Sequence, residues 1–223
     1  MSALFLGGIR PLPPDNGPTG IFKQPVEMPV WLGKEGLAGD AQADRRVHGG
    51  PEKALHQYPV AHYARLAEAF PDAAPLLMPG SLGENLSVPG WDEVNISIGD
   101  VFQLGDAKIQ VSQPRSPCWK IDHRFGADGM AQFIAEQRIT GWYFRVLEEG
   151  AVEPGAGFAR IERNFRPLPV ATLLSVWAAH RPDPTYLLEL SRTPGLSPGW
   201  VKKLVDRAER LGQSDLYPGL LPR

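Results

Sequence analysis

Residues 107–124 read AKIQVSQPRSPCWKIDHR and contain Cys118, the only cysteine of the chain. Ala107, Ile109 and Val111 alternate with polar residues, and alternation with a period of two is typical of a half-buried strand. The stretch therefore predicts a strand that leads directly to the cysteine. The rest of the chain is interpreted outward from that junction.

Ser116 and Pro117 are residue types that favour the first positions of a helix, which places Cys118 at about the second helical residue. At the N-terminal end of a helix, with Arg115 and Lys120 within a turn, a thiol favours its thiolate form. A thiolate attacks electrophiles and binds soft metals. The alternative is a buried cysteine that packs as a small apolar residue, and the local sequence leaves both interpretations open.

The composition excludes several classes of protein. The 223 residues include 23 basic and 25 acidic side chains, so no strong overall field favours nucleic acid or an anionic membrane as a partner. A single cysteine excludes an intramolecular disulfide and any cysteine-rich zinc or iron–sulfur site. No apolar run approaches the ~20 residues of a membrane helix, and the first residues lack the basic segment of a signal peptide. We expect a soluble, cytoplasmic protein.

Short apolar segments separated by turns rich in glycine and proline predict a mainly β unit with peripheral helices over residues 1–166. Residues 99 and 100, Gly-Asp, predict a tight turn between two strands. Helical patterns lie at residues 59–70 and 127–137. The predicted strands lie at residues 4–9, 20–26, 30–37, 94–98, 101–104, 107–113, 141–147 and 158–164.

Residues 167–223 differ in character and predict a small C-terminal unit of three helices. These helices are expected at residues 170–179, 185–190 and 197–211, and the last has Ser197 as its N-cap and Gly212 as its end. Three short helices bury too little apolar surface to be stable as a free domain. We therefore expect them to pack on the β unit. A helix-turn-helix DNA-binding unit is disfavoured because the last helix mixes basic with acidic residues.

Residues 39–59 form a polar, glycine-rich stretch that is a candidate anion site. Arg45, Arg46 and Lys53 flank the pair Gly49-Gly50, and glycines beside basic residues let backbone N–H groups approach a phosphate. A solvated hairpin is the alternative for this stretch. His48, which precedes the glycine pair, is by itself more typical of a structural histidine than of a ligand or an acid.

Three kinds of chemistry can be weighed for Cys118. A phosphatase loop would use the Cys-x5-Arg spacing to Arg124, but the intervening residues contain no glycine and resemble a helix. A Cys–His hydrolase would use His48 or His123 as its base, but no local hydrolase motif is present. The third possibility is that the thiolate binds a metal carried by a cofactor, while residues 45–53, the glycine loop, hold the cofactor's phosphate. This possibility explains the lone cysteine and the separate anion site together. Physical chemistry alone does not choose among the three.

Four motifs supply that choice, because together they resemble the MOSC family, the domains related to the C-terminal part of molybdenum cofactor sulfurase. They are VHGGPEKAL at 47–55, GENL at 83–86, GDVFQLG at 99–105 and SQPRSPCWK at 112–120. Their order and spacing, with the helical tail, are similar to the YiiM-type branch of that family. The resemblance covers nearly the whole chain.

The resemblance implies a distorted, closed MOSC β-barrel followed by a small three-helix domain. It also implies the molybdenum cofactor, a molybdenum-bound pterin (molybdopterin), with Cys118 as the protein ligand of the metal. The implied activity is the reduction of N-hydroxylated compounds such as 6-hydroxyaminopurine to amines, by oxygen-atom transfer to molybdenum. The implied biological role of this reduction is detoxification. The alternative is a non-catalytic carrier of the molybdenum cofactor or of sulfur.

By motif position, Cys118 and His48 are the predicted catalytic residues, His48 as proton donor. The predicted cofactor-binding residues come from the glycine loop, the GENL motif and the cysteine motif. They are Arg46, His48, Gly49, Gly50, Lys53, Asn85, Arg115, Ser116 and Lys120. The sequence does not show whether His56 faces this site.

The implied reaction also needs an electron donor. With one cysteine the chain cannot carry an iron–sulfur cluster of its own, so the predicted partner is a separate reductase, a flavoprotein. The helical tail is a candidate docking surface for it.

Overall fold

The computed structural model describes residues 3–216, except for the side chains of residues 46, 47 and 213–216. The strands are β1 (Ala3–Leu6), β2 (Arg10–Leu12), β3 (Gly17–Thr19), β4 (Gln24–Pro25), β5 (Val30–Gly33), β6 (Gly36–Leu37), β7 (Leu55–Gln57), β8 (Leu86–Ser87), β9 (Ser97–Ile98), β10 (Val101–Leu104), β11 (Ala107–Pro114), β12 (Trp142–Glu148), β13 (Gly150–Val152), β14 (Phe158–Glu162) and β15 (Leu168–Pro169). The helices are α1 (Arg45–His48), α2 (His62–Ala69), α3 (Lys120–Phe125), α4 (Met130–Glu136), α5 (Val170–Ala178), α6 (Pro184–Leu190) and α7 (Pro198–Leu216). Short 3-10 helices cover Pro51–Lys53 and Pro71–Leu76.

The principal sheet has eight strands in the order β14-β10-β11-β12-β7-β8-β1-β4. Its pairs are antiparallel except β7 with β8, so the sheet is mixed. β11 and β12 are its longest strands and form its centre. The predicted alternation along β11 is confirmed, because Ala107, Ile109 and Val111 are fully buried. Strand β11 therefore turns one face into the core and ends at Pro114. Residues 115–119, which contain Cys118, follow it and are named the cysteine segment.

The sheet curls into a half-barrel, and the prediction of a closed barrel is wrong. Closure requires the two edge strands to pair, and among the described residues no ladder joins β14 to β4. β4 has only two residues, one of them Pro25, which has no N–H to donate to a further strand. After Val26 the chain leaves this sheet, and β5 pairs instead with β13 and β6 in a separate sheet.

The turn at Gly99-Asp100 is present, but the strands on either side do not pair as a hairpin. β9 pairs with β15, whereas β10 pairs with β11 and β14. The buried Asp100 carboxylate explains the arrangement. It accepts hydrogen bonds from the Ser97 and Asn164 backbone N–H groups, at 3.1 and 3.0 Å, and from the Arg160 guanidinium at 3.1 Å. These three donors hold the turn in place without a β9–β10 ladder.

Helices α5, α6 and α7 follow the last sheet strand and share its core. Leu173, Leu187 and Leu204 are fully buried in the same apolar cluster as Ile98, Ile109 and other strand residues. The predicted N-cap of α7 is confirmed, because the Ser197 hydroxyl accepts from Trp200 N–H at 3.3 Å. The predicted end at Gly212 is wrong, since α7 continues to Leu216. The division of the chain into domains 1–166 and 167–223 stays a prediction.

Candidate functional site

A cleft of about 630 Å³, counted with the solvent at its mouth, brings distant segments of the chain together around Cys118. Its walls come from the segment after β3, residues 40–43, the glycine loop, β7, residues 82–85, β12 and the cysteine segment. Six residues predicted for the site line it: His48, Lys53, Asn85, Arg115, Cys118 and Lys120. The cleft is therefore the structural counterpart of the predicted site.

Cys118 is half-buried and lies between β11 and α3. The prediction that it is the second residue of a helix is wrong, because α3 begins at Lys120 and Trp119 precedes it as N-cap. Arg115 N–H donates to Gly141 O at 3.0 Å, which extends the β11–β12 pairing by one residue, and the first helical turn closes only from Cys118 onward. The Cys118 carbonyl still accepts from Ile121 N–H at 3.0 Å. The thiol thus sits on a short segment held at both ends.

Arg115 is the buried cation of the cleft and is only 8% exposed. Its Nη2 donates to Leu82 O at 3.2 Å, whereas its Nη1 has no hydrogen-bond partner. An unpaired buried donor of this kind is costly. Arg115 therefore offers a hydrogen-bond donor and a positive charge to a ligand in the cleft.

Lys23 and Asp40 form a buried ion pair in the cleft wall, and their side chains are 5% and 1% exposed. The same carboxylate accepts from Gly7 N–H at 2.9 Å and from the Asn85 side-chain amide at 2.9 Å. Burial lowers the pKa of Lys23 despite its partner. Among the residues that line the cleft, Asp40 is the only acidic one, whereas four are lysine or arginine: Lys23, Lys53, Arg115 and Lys120. This excess of positive charge suits the cleft to an anion.

Asn85 lines the cleft, but its amide group is used to organise the protein. Its oxygen accepts from His56 N–H at 3.2 Å, and its nitrogen donates to Phe5 O at 3.2 Å as well as to Asp40. These bonds join β1, β7 and the Asp40 segment. In the structure Asn85 therefore positions Asp40 and the Lys23 ammonium that pairs with it.

His48 and Lys120 complete the basic side of the cleft. Burial lowers the pKa of His48 below its ordinary value, and the charges of Arg115, Lys120 and Lys53 lower it further. Lys120 Nζ donates to Pro18 O at 2.9 Å, which ties the start of α3 to β3. His48 is therefore mainly neutral near neutral pH.

His56 answers a question that the sequence left open, because it lines the cleft and is 4% exposed. Its ring lies 5.3 Å from that of Tyr143, and its Nε2 has no hydrogen-bond partner. Burial holds the pKa of His56 well below its ordinary value, with a further contribution from Arg115. Burial also raises the pKa of Tyr143. Both groups are therefore neutral at neutral pH.

Gly49, Gly50 and Ser116 are not among the residues that line the cleft. Gly49 and Gly50 form the turn before the 3-10 helix, where Gly50 has a φ of +89° that favours glycine. Ser116 is exposed. The side chain of Arg46 lies outside the described part of the chain. Their contacts with a cofactor stay predictions.

Sequence reasoning missed three cleft residues, Lys23, Asp40 and Tyr143, and left the position of a fourth, His56, open. Lys23 is a charged residue in an apolar stretch, and Asp40 follows a glycine. Both positions are weak indications of a functional residue. His56 and Tyr143 belong to strands β7 and β12, which pair at that position. Only the pairing shows that both rings face the cleft.

The phosphatase-loop interpretation is wrong. Residues 120–125 form α3, so their backbone N–H groups do not line an anion-binding loop. The Arg124 guanidinium packs over the ring of Phe22 at 4.7 Å. His123, one of the two histidines considered for a hydrolase, packs its ring edge-on against Trp119 and does not line the cleft.

Among the described residues, no three His, Cys, Asp or Glu side chains come together as a metal site. None of the helices formed by these residues has the length and apolar character needed to cross a membrane.

Comparisons with known proteins identify the family. The MOSC domain family matches residues 44–158. The chain is 37% identical to Protein YiiM of Escherichia coli (strain K12) over 87% of this chain and 86% of that protein. It is 33% identical to a protein named Reductase from Gibberella moniliformis, over 78% of this chain but only 31% of that longer protein.

A solved structure gives the same result for the fold. The crystal structure of YiiM from Geobacillus stearothermophilus superposes with a TM-score of 0.78 at 29% identity, covering 92% of this chain and 97% of that one. The matched residues include the glycine loop and the cysteine segment that meet in the cleft. The chain therefore belongs to the MOSC domain family, as a YiiM-type member.

Proposed function

We propose that this protein is a cytoplasmic, molybdenum-cofactor-dependent oxidoreductase that reduces N-hydroxylated compounds, including N-hydroxylated bases, to amines. MOSC domains are associated with the molybdenum cofactor in general, and one relative is named a reductase. The observation that carries the proposal is the meeting of the lone thiol with a set of cations in one cleft. Neither feature alone selects this chemistry.

The residues present fit the cofactor. Molybdenum takes soft sulfur ligands, and Cys118 is the only thiol of the chain, half-buried at the cleft. The cofactor's phosphate needs donors and positive charge, and Arg115 supplies a buried guanidinium with an unpartnered Nη1. A cofactor that brings its own dithiolene ligands needs few from the protein, so one thiolate is sufficient.

Cys118 would hold the metal, and the cations would hold the phosphate and pterin. Arg115, Lys53, Lys120 and His48 border the same cleft. Arg46, Gly49, Gly50 and Ser116 are proposed from motif position to approach the cofactor from the rims. Asn85 contributes through Asp40, which its amide holds at 2.9 Å.

The overall reaction is R–NHOH + 2 e⁻ + 2 H⁺ → R–NH₂ + H₂O. When bound, the cofactor supplies two-electron oxygen-atom-transfer chemistry, which amino-acid side chains lack. The protein's own contribution is to orient the substrate, exclude water and deliver protons. We propose His48 as the proton carrier, because its imidazole is half-buried at the cleft and can alternate between acceptor and donor. Its lowered pKa means that the donor form is scarce at neutral pH and becomes commoner in acid.

The electrons would come from a separate reductase, for which a flavoprotein is the proposed class. The chain has one cysteine, too few for an iron–sulfur cluster of its own. The exposed surface of α7, the last helix of the C-terminal tail, is a candidate docking region for this reductase. Burial lowers the pKa of Lys53, a cleft residue, and the charge of Lys203 on α7 lowers it further.

The test is metal analysis of protein expressed with cofactor synthesis intact, followed by assay of 6-hydroxyaminopurine reduction with a reduced dye as donor. We expect bound molybdenum and turnover in the wild type. We expect Cys118→Ala to lose activity by about a hundred-fold or more, because the metal loses its protein ligand. His180→Ala, at an exposed residue, serves as the matched control.

Two outcomes would contradict the proposal. Full activity of Cys118→Ala would remove the thiolate from the mechanism. Bound cofactor without turnover of any N-hydroxylated compound would instead support the non-catalytic carrier.

A further inference from the structure

A second groove opens beside Cys118 and adjoins the cleft. Gly17 and Pro18 of β3, residues 43–45, Trp119 and Lys120 line it, and we name it the Trp119 groove. Ala43 and Lys120 line both this groove and the cleft, so the two adjoin at these residues. Trp119, which lines the groove, follows Cys118 directly in the chain, so the groove lies next to the residue that carries the thiol.

Trp119 is the most conspicuous feature of the groove, because a tryptophan directly after the cysteine is 53% exposed. Because Trp119 also lines the groove, its indole offers an apolar aromatic face there on which another ring can stack. The indole is not a loose side chain. The ring of His123 packs edge-on against it, with centroids 4.7 Å apart, and the Lys120 ammonium lies 5.9 Å from its centroid.

Lys120 Nζ donates to Pro18 O at 2.9 Å. This bond joins the start of α3 to β3, and both residues line the groove. The polar members of the groove, Asp44, Arg45 and Lys120, can bond to heteroatoms at the edge of a ring. A fixed indole surface with hydrogen-bonding groups at its rim is the arrangement by which proteins hold nucleobase-like rings.

We infer that the Trp119 groove binds the ring of a planar heteroaromatic substrate by stacking on Trp119, while the N-hydroxy group of that substrate reaches into the cleft. The inference rests on the proposed function and goes further, because it makes Trp119 the residue that selects aromatic over aliphatic N-hydroxy compounds. The occupant follows from the border that the groove shares with the cleft: a ring bound here contacts Lys120, which also lines the cleft of the thiol.

The test compares two substrates of the holoenzyme under a reduced-dye donor. 6-Hydroxyaminopurine carries a planar ring, whereas N-methylhydroxylamine has none, and each consumes two electrons and two protons to give an amine and water. Trp119→Ala should raise the KM for 6-hydroxyaminopurine about ten-fold, from loss of one base–aromatic stack, and leave kcat/KM for N-methylhydroxylamine within about two-fold. Trp119→Phe, which keeps an aromatic face, should recover most of the loss.

Trp31→Ala is the matched control, because Trp31 is also 53% exposed but lines neither the cleft nor the groove. A second readout is calorimetric binding of adenine, the product, which does not depend on turnover. Adenine should bind the wild type and Trp119→Phe, and bind Trp119→Ala about ten-fold more weakly.

The outcomes separate this inference from the proposed function. If the wild type reduces neither compound, the proposed function fails, and adenine binding still decides the role of the groove. Unchanged adenine affinity in Trp119→Ala, no adenine binding to the wild type, or equal losses for both substrates would each overturn the inference. An equal effect of Trp31→Ala would overturn it as well.

Discussion

Two buried polar atoms at the cleft have no hydrogen-bond partner: Arg115 Nη1 and His56 Nε2. Asn85 is the contrast, since its oxygen and its amide nitrogen both bond to neighbouring groups. A buried group without a partner costs about 1–3 kcal/mol. Arg115 Nη1 and His56 Nε2 are therefore candidates to bond to a ligand in the cleft.

His56 gives a prediction for stability against pH. The unfolded chain binds a proton at the ordinary histidine pKa of 6.5, whereas the buried, folded His56 has a pKa well below this. Between these two values the unfolded state holds one more proton, so the free energy of unfolding falls as the pH falls below 6.5. The limiting slope for one such group is about 1.4 kcal/mol per pH unit.

Replacement of His56 by glutamine should remove this contribution. We expect urea unfolding of His56→Gln to show a smaller loss of stability between pH 6.5 and pH 5 than the wild type shows. His180→Gln, at an exposed position, should keep the wild-type slope. Identical slopes in His56→Gln and the wild type would show that the imidazole does not remain neutral in the fold.

At the scale of elements, the cysteine segment shows that local helix signals do not fix where a helix begins. Ser116 and Pro117 favour a helix start, but the chain is not helical there, and the first turn closes only with the bond from Ile121 N–H to Cys118 O. The helix begins two residues after Cys118, at Lys120. This delay leaves the thiol on the segment that faces the cleft.

The turn between β9 and β10 meets the loop between α6 and α7 at two glycines. Gly99 has a φ of +82°, and a Cβ on it would lie 2.4 Å from Pro194 O. A Cβ on Gly195 would likewise lie 2.5 Å from Gly99 Cα. The two backbones approach so closely that neither position has room for a side chain.

Gly99→Ala should therefore lower the free energy of unfolding by about 2 kcal/mol or more, from left-handed backbone strain plus the clash. Gly90→Ala is the matched control, because Gly90 has a φ of +85° and nothing within 4 Å of an added Cβ. It should cost only the strain, about 1 kcal/mol. Equal losses for the two variants, measured by urea unfolding, would mean that the close approach is not maintained in solution.

At the scale of the whole molecule, the C-terminal helices and the open sheet depend on one another. Val170 N–H donates to Ile96 O at 3.0 Å, and Ser197 N–H donates to Ser112 O at 3.0 Å. The apolar cluster that fills the half-barrel includes residues of all three helices, among them Leu174, Leu190 and Trp200. The helices therefore cover a part of the core that the open sheet leaves accessible.

This packing predicts that residues 1–166 expressed alone lack a cooperative urea-unfolding transition, because the truncation exposes the apolar face that the helices cover. Addition of residues 167–223 as a separate fragment should restore the transition. A cooperative transition of the isolated 1–166 fragment would instead establish the two-domain division. For tests of donor docking, surface substitutions on α7 such as Lys202→Ala are thus preferable to deletion of the tail.

The sequence by itself determined the features that depend on neighbouring residues or on motif order. These are the alternation of β11, the N-cap at Ser197, the prominence of Cys118 and the MOSC family. The first two are local, so propensity and spacing are sufficient to predict them, whereas the family follows from the resemblance of four motifs.

Only the tertiary structure decided that the sheet stays open and that Lys23, Asp40, His56 and Tyr143 join the cleft. His56 lies on a three-residue strand in which all three residues are buried, so no periodicity shows which face it presents. The side to which a short strand turns its residues is set by the register with its partner, and here Tyr143 of β12 pairs with His56 of β7. Long-range pairing of this kind leaves no local pattern in the amino-acid sequence.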